Sequence, residues 1–291
     1  MIDLNGRTAI VTGAGGGLGR AHALLLAQRG AKVVVNDLGD AADAVVEEIR
    51  AAGGQARAAK CSVVDAEAVQ AMADAVLADW GSIDILVNNA GILRDKSFAK
   101  MELADFRLVL EVHLMGAANC TKAVWNAMRE RNYGRIVMTT SCSGLYGNFG
   151  QANYAAAKMG LVGMMQTLGI EGAKHDIRVN CLAPTGATRM MEGILPPDQL
   201  AQFKPELVSP AVLALVAENA PNRAILSAGA GGFELAYVAL TQGIHLGEAA
   251  SAEAILEHWV ELSSRDGDFV PAQGFDQARH ELHKAGFGSD S

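Results

Sequence analysis

Apolar residues fall into two alternating rhythms along this chain. Short, nearly continuous runs of β-branched and aliphatic residues are bounded by turn residues: "TAIV" (8–11), "KVVVN" (32–36), "IDILVN" (83–88), "RIVMTT" (135–140) and "IRVNCLA" (177–183). Such runs read as strands buried on both faces. Between them apolar positions recur at helical spacing. This predicts helices after "TGAGGGLG", at 41–53 and 66–80, across a long region 102–131, and at 152–173. Residues 55–61 form a weaker strand, with Gly53-Gly54 ending the helix before it, and "RAILSAG" (223–229) is the expected last strand. Strands alternating with helices imply βαβ units and a doubly wound parallel sheet with helices on both faces, an α/β fold.

Beyond the last expected strand the rhythm weakens. Residues 233–242 and 252–264 look helical and the remainder irregular, predicting a C-terminal helical extension packed on the same domain or on a partner subunit. No linker, charge run or repeat marks an independent second domain. The expected division is 1–230 for the sheet domain and 231–291 for the extension.

Composition narrows the function. A formal charge of −8 and no Lys/Arg block oppose a nucleic-acid or anionic-membrane partner. No apolar run approaches the ~18 residues of a membrane span. Cys61, Cys120, Cys142 and Cys181 lie far apart with no C-x-x-C, so reduced, buried thiols and no structural metal are expected. "HELH" (280–283) lacks a third ligand and reads as a solvated helix face. The opening residues carry no basic-then-apolar leader, and "GSDS" is not a peroxisomal tripeptide, so the expected location is cytoplasmic.

Candidate chemistry sits at two places. "TGAGGGLG" (Thr12–Gly19) lies where a strand hands over to a helix, and its glycines permit a tight turn and close approach of a pyrophosphate to the helix N-terminus. Asp37, at the end of the next strand, can accept hydrogen bonds from ribose hydroxyls and repel a 2′-phosphate, favouring NAD over NADP. A glycine loop in this setting makes the sheet Rossmann-type. The second place is "SCSGLYGNFGQANYAAAK" (141–158). Tyr154 and Lys158 are one helical turn apart on one face, and Ser141 ends a strand upstream. An ammonium near a phenol lowers its pKa toward that of a usable base, and a serine hydroxyl can orient an alcohol or carbonyl oxygen. Alone, each residue has a bland explanation; together with the cofactor loop they point to oxidation of a secondary alcohol.

Thr12-Gly13-x-x-x-Gly17-x-Gly19, Asn88-Asn89-Ala90-Gly91, and Ser141 with Tyr154-x-x-x-Lys158 occur in the order and spacing of the short-chain dehydrogenase/reductase family, which this chain resembles over residues 4 to about 230. Within that family "VVVNDLG", "NNAGILRDKSF", "VHLMG", "YGRIVMTTSCSGLYGNFGQANYAAAK" and "FKPELVSP" are similar to the (3R)-hydroxyacyl-CoA dehydrogenase domains of type 2 multifunctional enzymes of β-oxidation. The resemblance implies catalysis by Ser141, Tyr154 and Lys158, with Ser141 and Tyr154 also touching substrate. It implies a cofactor site of Gly13, Gly17, Leu18, Gly19, Asp37, Ser62, Val63, Asn89, Ala90, Gly91, Tyr154, Lys158, Gly186, Ala187 and Thr188, holding NAD. The implied substrate is a small molecule, an acyl-CoA thioester or a steroid (a 17β-hydroxysteroid being the main alternative), and the implied assembly a homo-oligomer, dimer or tetramer.

Three departures from the family pattern stand out. His113 occupies the place where many members carry an asparagine whose carbonyl anchors a proton-relay water; a satisfied interior histidine is expected over a general base. Ser62, or Cys61 if the register slips, replaces the usual aspartate over the adenine. "PTGATR" replaces the common Pro-Gly after the sixth strand, and Met190 and Met191 fall where the family has a mobile substrate loop. From other classes, a serine hydrolase would need G-x-S-x-G, which does not occur. An inactive binding member would be expected to lose one of Ser141, Tyr154 or Lys158, and all three are present.

Overall fold

Every side chain of Thr8–Thr12 (β1) is buried, which only a strand covered on both faces allows. In the computed structural model, which describes residues 1–186 and 196–287, β1 is followed by α1 (Gly17–Gln28), β2 (Lys32–Asp37), α2 (Ala41–Ala51), β3 (Gln55–Lys60), α3 (Ala66–Trp80) and β4 (Ile85–Asn88). The second half runs through α4 (Leu103–Leu110), a π-helical turn (Glu111–Met115), α5 (Gly116–Arg131), β5 (Gly134–Thr139), α6 (Cys142–Tyr146), α7 (Ala152–Gly172) and β6 (Ile177–Thr185). Then come α8 (Pro197–Leu200), α9 (Ser209–Leu215), β7 (Ile225–Gly229) and β8 (Gly232–Ala236).

These strands form one sheet in the order β3-β2-β1-β4-β5-β6-β7-β8, and β1 to β7 pair in parallel. The order reverses direction between β1 and β4, so the connections leaving their carboxyl ends diverge and open a crevice there. The central strands are almost wholly apolar and solvent-free, with Ile10, Val34, Leu86, Val137 and Val179 at their centres. The Rossmann-type doubly wound fold expected from the sequence is present.

Two expectations change near the end of this sheet. Residues 233–242 are not helical: Ala230 and Gly231 adopt positive φ (49° and 80°) in a two-residue turn, which sends the chain back as β8, an added edge strand antiparallel to β7. Residues 205–222, left without an element by the apolar pattern, contain α9. The long region 102–131 is one helical path interrupted by the π turn around His113.

By its internal contacts the chain divides into Met1–Leu235 and Ala236–Ser291. Among its described residues the second unit contains an antiparallel bridge, Leu240 with Phe269, and the short helices α10 (Ala252–Glu257), α11 (Trp259–Leu262) and α12 (Phe275–Lys284). The expected helix 252–264 is therefore split at His258, and α12, read as irregular from the sequence, is a regular helix. "HELH" lies on α12, where His280 and Lys284 both bond the Gln242 carbonyl. No described helix is long and apolar enough to cross a membrane.

Candidate active site

The glycine loop is shaped by what lies behind it. Gly13 takes φ +61°, and a Cβ on Gly19 would stand 2.2 Å from the Gly13 carbonyl oxygen and 2.6 Å from Asn89 Nδ2. Asn89 donates to the carbonyls of Thr12 (2.9 Å) and Gly13 (3.1 Å), and the Thr12 hydroxyl accepts from the amides of Asn89 and Ala90. The carboxyl ends of β1 and β4 are thus stitched together by one hydroxyl and one amide. Thr12 carries this role although the sequence gives it only as part of the glycine motif.

Asp37 closes the other side. Its carboxylate accepts from the Gly15 amide (2.8 Å) and the Leu38 amide (2.7 Å), and a Cβ on Gly15 would collide with it at 2.8 Å. The acid therefore orders the loop in addition to facing the crevice. A cleft of about 430 Å³ runs from here past the end of β1, lined by Gly13, Gly17, Leu18, Asp37, Ser62, Val63, Asn89, Ala90 and Gly91. Both alternatives in the register at 61–62 lie on its wall, because Cys61 and Ser62 both line it. Asn36, Ile92, Val112 and Pro205 join them. Asn36 reaches the cleft by bonding the carbonyls of Ala59 and Cys61, and nothing in the local sequence announces it. Gly186 approaches Leu18, where a Cβ would lie 3.3 Å from the leucine methyl. Ala187, Thr188, Met190 and Met191 lie outside the described residues.

Glycines that a Cβ would clash with, a carboxylate at the strand end and an elongated cleft at the reversal of strand order together fit a dinucleotide.

The second cluster lies beside this cleft, since Tyr154 meets His113 edge-on and His113 bonds Ile92 on the cleft wall. β5 ends at Thr139; two residues on, Ser141 turns into α6, its hydroxyl capping the helix by accepting from the Ser143 amide (3.2 Å). Gly144 lets α6 settle on α7, since a Cβ there would lie 2.8 Å from Lys158 Cβ. Thr140 fixes the same contact by donating to the Lys158 carbonyl (2.7 Å). On α7, Tyr154 and Lys158 share a face: the lysine Nζ is 5.4 Å from the phenol ring centroid and donates to the Thr139 carbonyl. The loop bearing Gly91 and Ile92 is pinned to the start of α7 and the segment before it, with Asn153 donating to the Arg94 carbonyl (3.0 Å) and the Lys96 amide to the Gly150 carbonyl (2.9 Å).

Burial pushes the Tyr154 phenol up from its usual value, with the hydrogen bond to Ser141 pulling the other way. Burial pushes Lys158 down to about 7. In a water-poor site desolvation opposes both charged forms, and the ammonium is spent on a backbone carbonyl. His113 is buried and held neutral, its pKa pushed down to about 3 by burial and then by the Lys158 charge.

Known proteins similar to this chain are numerous. The short chain dehydrogenase family profile matches residues 7–198. Peroxisomal multifunctional enzyme A of Dictyostelium discoideum is 44% identical over 281 residues, covering 93% of this chain and 63% of its own length. The structure of full-length peroxisomal multifunctional enzyme type 2 from Drosophila melanogaster superposes with a TM-score of 0.84 at 40% identity, over 98% of this chain and 50% of that one. A 7α-hydroxysteroid dehydrogenase complexed with NADH and a 7-oxo bile acid superposes at TM-score 0.73 and 33% identity, over 79% of this chain and 95% of its own. The chain thus spans less than two thirds of the length of these multifunctional relatives. The chain belongs to the short-chain dehydrogenase family.

Proposed function

We propose that this protein oxidises (3R)-hydroxyacyl-CoA to 3-oxoacyl-CoA with NAD. One observation carries the reading: Tyr154 and Lys158 share a face of α7, and through His113 the phenol abuts the Gly91–Ile92 wall of the cleft that Asp37 also lines. The names of the multifunctional relatives, which pair hydratase and dehydrogenase steps in some fungi, support the acyl-thioester class.

NAD would be held by the Gly13–Gly19 loop, Asp37, Ser62, Val63, Asn89 to Gly91, and Gly186 with Ala187 and Thr188. When bound, it supplies the hydride acceptor and a positive charge beside the phenol. Ser141 holds the substrate oxygen, and Tyr154 removes the hydroxyl proton as the C–H bond breaks. Lys158 stabilises the resulting phenolate, for which the burial that raises the Tyr154 pKa demands a counter-charge. Asp37 disfavours NADP because a 2′-phosphate would meet its carboxylate.

The domain division, a dimer or tetramer built on α5 and α7, and action in a reducing cytoplasmic compartment are parts of the same proposal. The names of several eukaryotic relatives place those enzymes in peroxisomes. A hydroxysteroid is the second reading, favoured by the bile-acid-bound neighbour.

The test is a spectrophotometric screen of NAD and NADP against (3R)- and (3S)-hydroxyacyl-CoA of several chain lengths and a 17β-hydroxysteroid. Turnover confined to the (3R) thioesters with NAD is the expected result; turnover of the steroid alone supports the second reading. Tyr154→Phe should lower kcat by about 10²–10⁴-fold while leaving NAD affinity near wild type, and full activity in that variant would refute the assignment of the base.

A further inference from the structure

Two polar side chains 187 positions apart meet in the interior, away from the Ser-Tyr-Lys cluster. His22, on α1, and Ser209, the first residue of α9, are both buried. His22 Nδ1 stands 2.8 Å from Ser209 Oγ, and the serine hydroxyl donates to the Pro205 carbonyl at 3.2 Å. A carbonyl only accepts, and a hydroxyl has one proton. For both contacts to be hydrogen bonds, the imidazole must donate from Nδ1. Burial pushes the His22 pKa down to about 4, so at neutral pH the ring carries a single proton, and this geometry assigns it to Nδ1. The result is a directed chain from the imidazole through the hydroxyl to the Pro205 carbonyl.

The chain ends on the cofactor cleft. Pro205 opens a 3₁₀ turn, Pro205–Leu207, and lines the dinucleotide cleft together with Gly17 and Leu18 at the start of α1. Leu18 stands one helical turn before His22 and so on the same face. That face of α1 therefore supplies one part of the cleft wall through Leu18 and holds another, Pro205, through His22 and Ser209. The turn transmits the hold, because proline fixes its own φ and the Val208 amide bonds the same carbonyl at 3.1 Å. Around the chain the seam is apolar, with Ala23, Leu26, Val208 and Val212 in one buried cluster. Apolar packing alone would close such a seam but tolerate sliding; a buried hydrogen-bonded network with its partners in place specifies one arrangement.

We propose that His22 and Ser209 are positioning residues for the cofactor: their hydrogen-bond chain places Pro205 against α1 and thereby sets the affinity of the cleft for NAD. This rests on the reading of the cleft as an NAD site. Neither side chain lines the cleft itself. Without the chain the turn samples positions in which the wall is misplaced, and apparent affinity falls with the fraction of molecules left competent.

The experiment measures equilibrium NAD binding by calorimetry, with no substrate present, in full-length wild type, His22→Leu, Ser209→Ala, the double variant and His22→Asn. Leucine fills space without a donor; asparagine carries a donor nitrogen near the place of Nδ1. His22→Leu and Ser209→Ala should each weaken NAD binding about 3- to 10-fold, the weight of one buried hydrogen bond. The double variant should bind no more weakly than the worse single one, because both changes break the same chain. His22→Asn should bind almost as wild type does. In turnover assays the loss should fall on the KM for NAD, with kcat at saturating NAD retained. Normal NAD affinity in His22→Leu would overturn the proposal whatever its melting temperature. Additive losses in the double variant, or an asparagine variant as weak as leucine, would reduce the pair to packing and overturn it too. If the variants do not fold, the imidazole ¹⁵N spectrum of the native enzyme at neutral pH decides: the Nδ1-protonated tautomer is required, and the Nε2-protonated one overturns the chain. A wild type that binds no NAD refutes the cofactor reading itself, whereas variants that equal an NAD-binding wild type remove only the role of His22 and Ser209.

Discussion

Strand β5 has a buried cation at each end, and the two are treated in opposite ways. At its start Arg135, fully buried, donates to the carbonyls of Gly134 (2.8 Å), Asp176 (2.6 Å), Ala217 (3.1 Å) and Glu218 (2.9 Å) and to the Asp176 carboxylate (3.0 Å). Its guanidinium also lies 4.2 Å from the Tyr133 ring centroid, which Arg7 covers at 3.5 Å. At the other end Lys158 is almost as deeply buried but finds one carbonyl, that of Thr139. Among the described residues no carboxylate is paired with it, and burial pushes its pKa down to about 7. A fork of donors saturated by backbone and carboxylate is a clamp. An ammonium left short of partners is poised to respond to a charge that develops nearby. On the proposed function, the amino end of the sheet is built to hold, and its carboxyl end to react.

Replacing both cations by methionine should separate these roles. Lys158→Met should cost the most, lowering turnover by about 10²–10⁴-fold with thermal stability equal to or above wild type, since a charge short of partners is exchanged for an apolar side chain. The same pair reads the lysine's charge. Because the folded-state pKa lies below that of an unfolded lysine, the unfolded chain holds the proton between about pH 7 and 10.5, so wild-type stability rises with pH across that window. Thermal melts of wild type and Lys158→Met should therefore converge on going from pH 6 to 9; parallel curves would mean the ammonium stays charged in the fold. Arg135→Met should invert the pattern, destabilising by about 3–5 kcal/mol because Asp176 and several carbonyls lose their donor, with turnover per folded molecule retained. A variant equally stable and less active would erase the contrast between the two ends.

Asp37→Ala should have the smallest effect. It removes the bonds to Gly15 and Leu38 at the loop's edge, and preference for NAD over NADP should relax by about 10-fold, roughly what one lost charge interaction of 1.4 kcal/mol yields. Paired KM measurements with the two cofactors check it, and unchanged discrimination would remove the ribose argument.

The contrast also marks how far the sequence could be read. Lys158 was legible because its partner Tyr154 is one helical turn away on the same helix, and the glycine loop because strand, turn and helix adjoin in the chain. Arg135 drew no notice: its partners at 176, 217 and 218 come from elements that only the closed sheet brings to the start of β5. Asn36, Pro205 and the bond from Gly15 to Asp37 escaped for the same reason, and so did the clasp of His113 on Ile92, 21 residues away. The segment after β7 misled more directly. Its apolar residues suited a helix, but the positive φ values of Ala230 and Gly231 reverse the chain into an edge strand, a choice made by pairing with β7.

Local rhythm and short-range motifs determined the order of strands and helices, the dinucleotide crevice and the identity of the Ser-Tyr-Lys cluster, because each depends on residues a few positions apart. The tertiary structure decided how deeply that cluster is buried, and with it the direction in which the phenol and the ammonium are pushed. Desolvation is a property of everything packed around a group, and no local spacing encodes it.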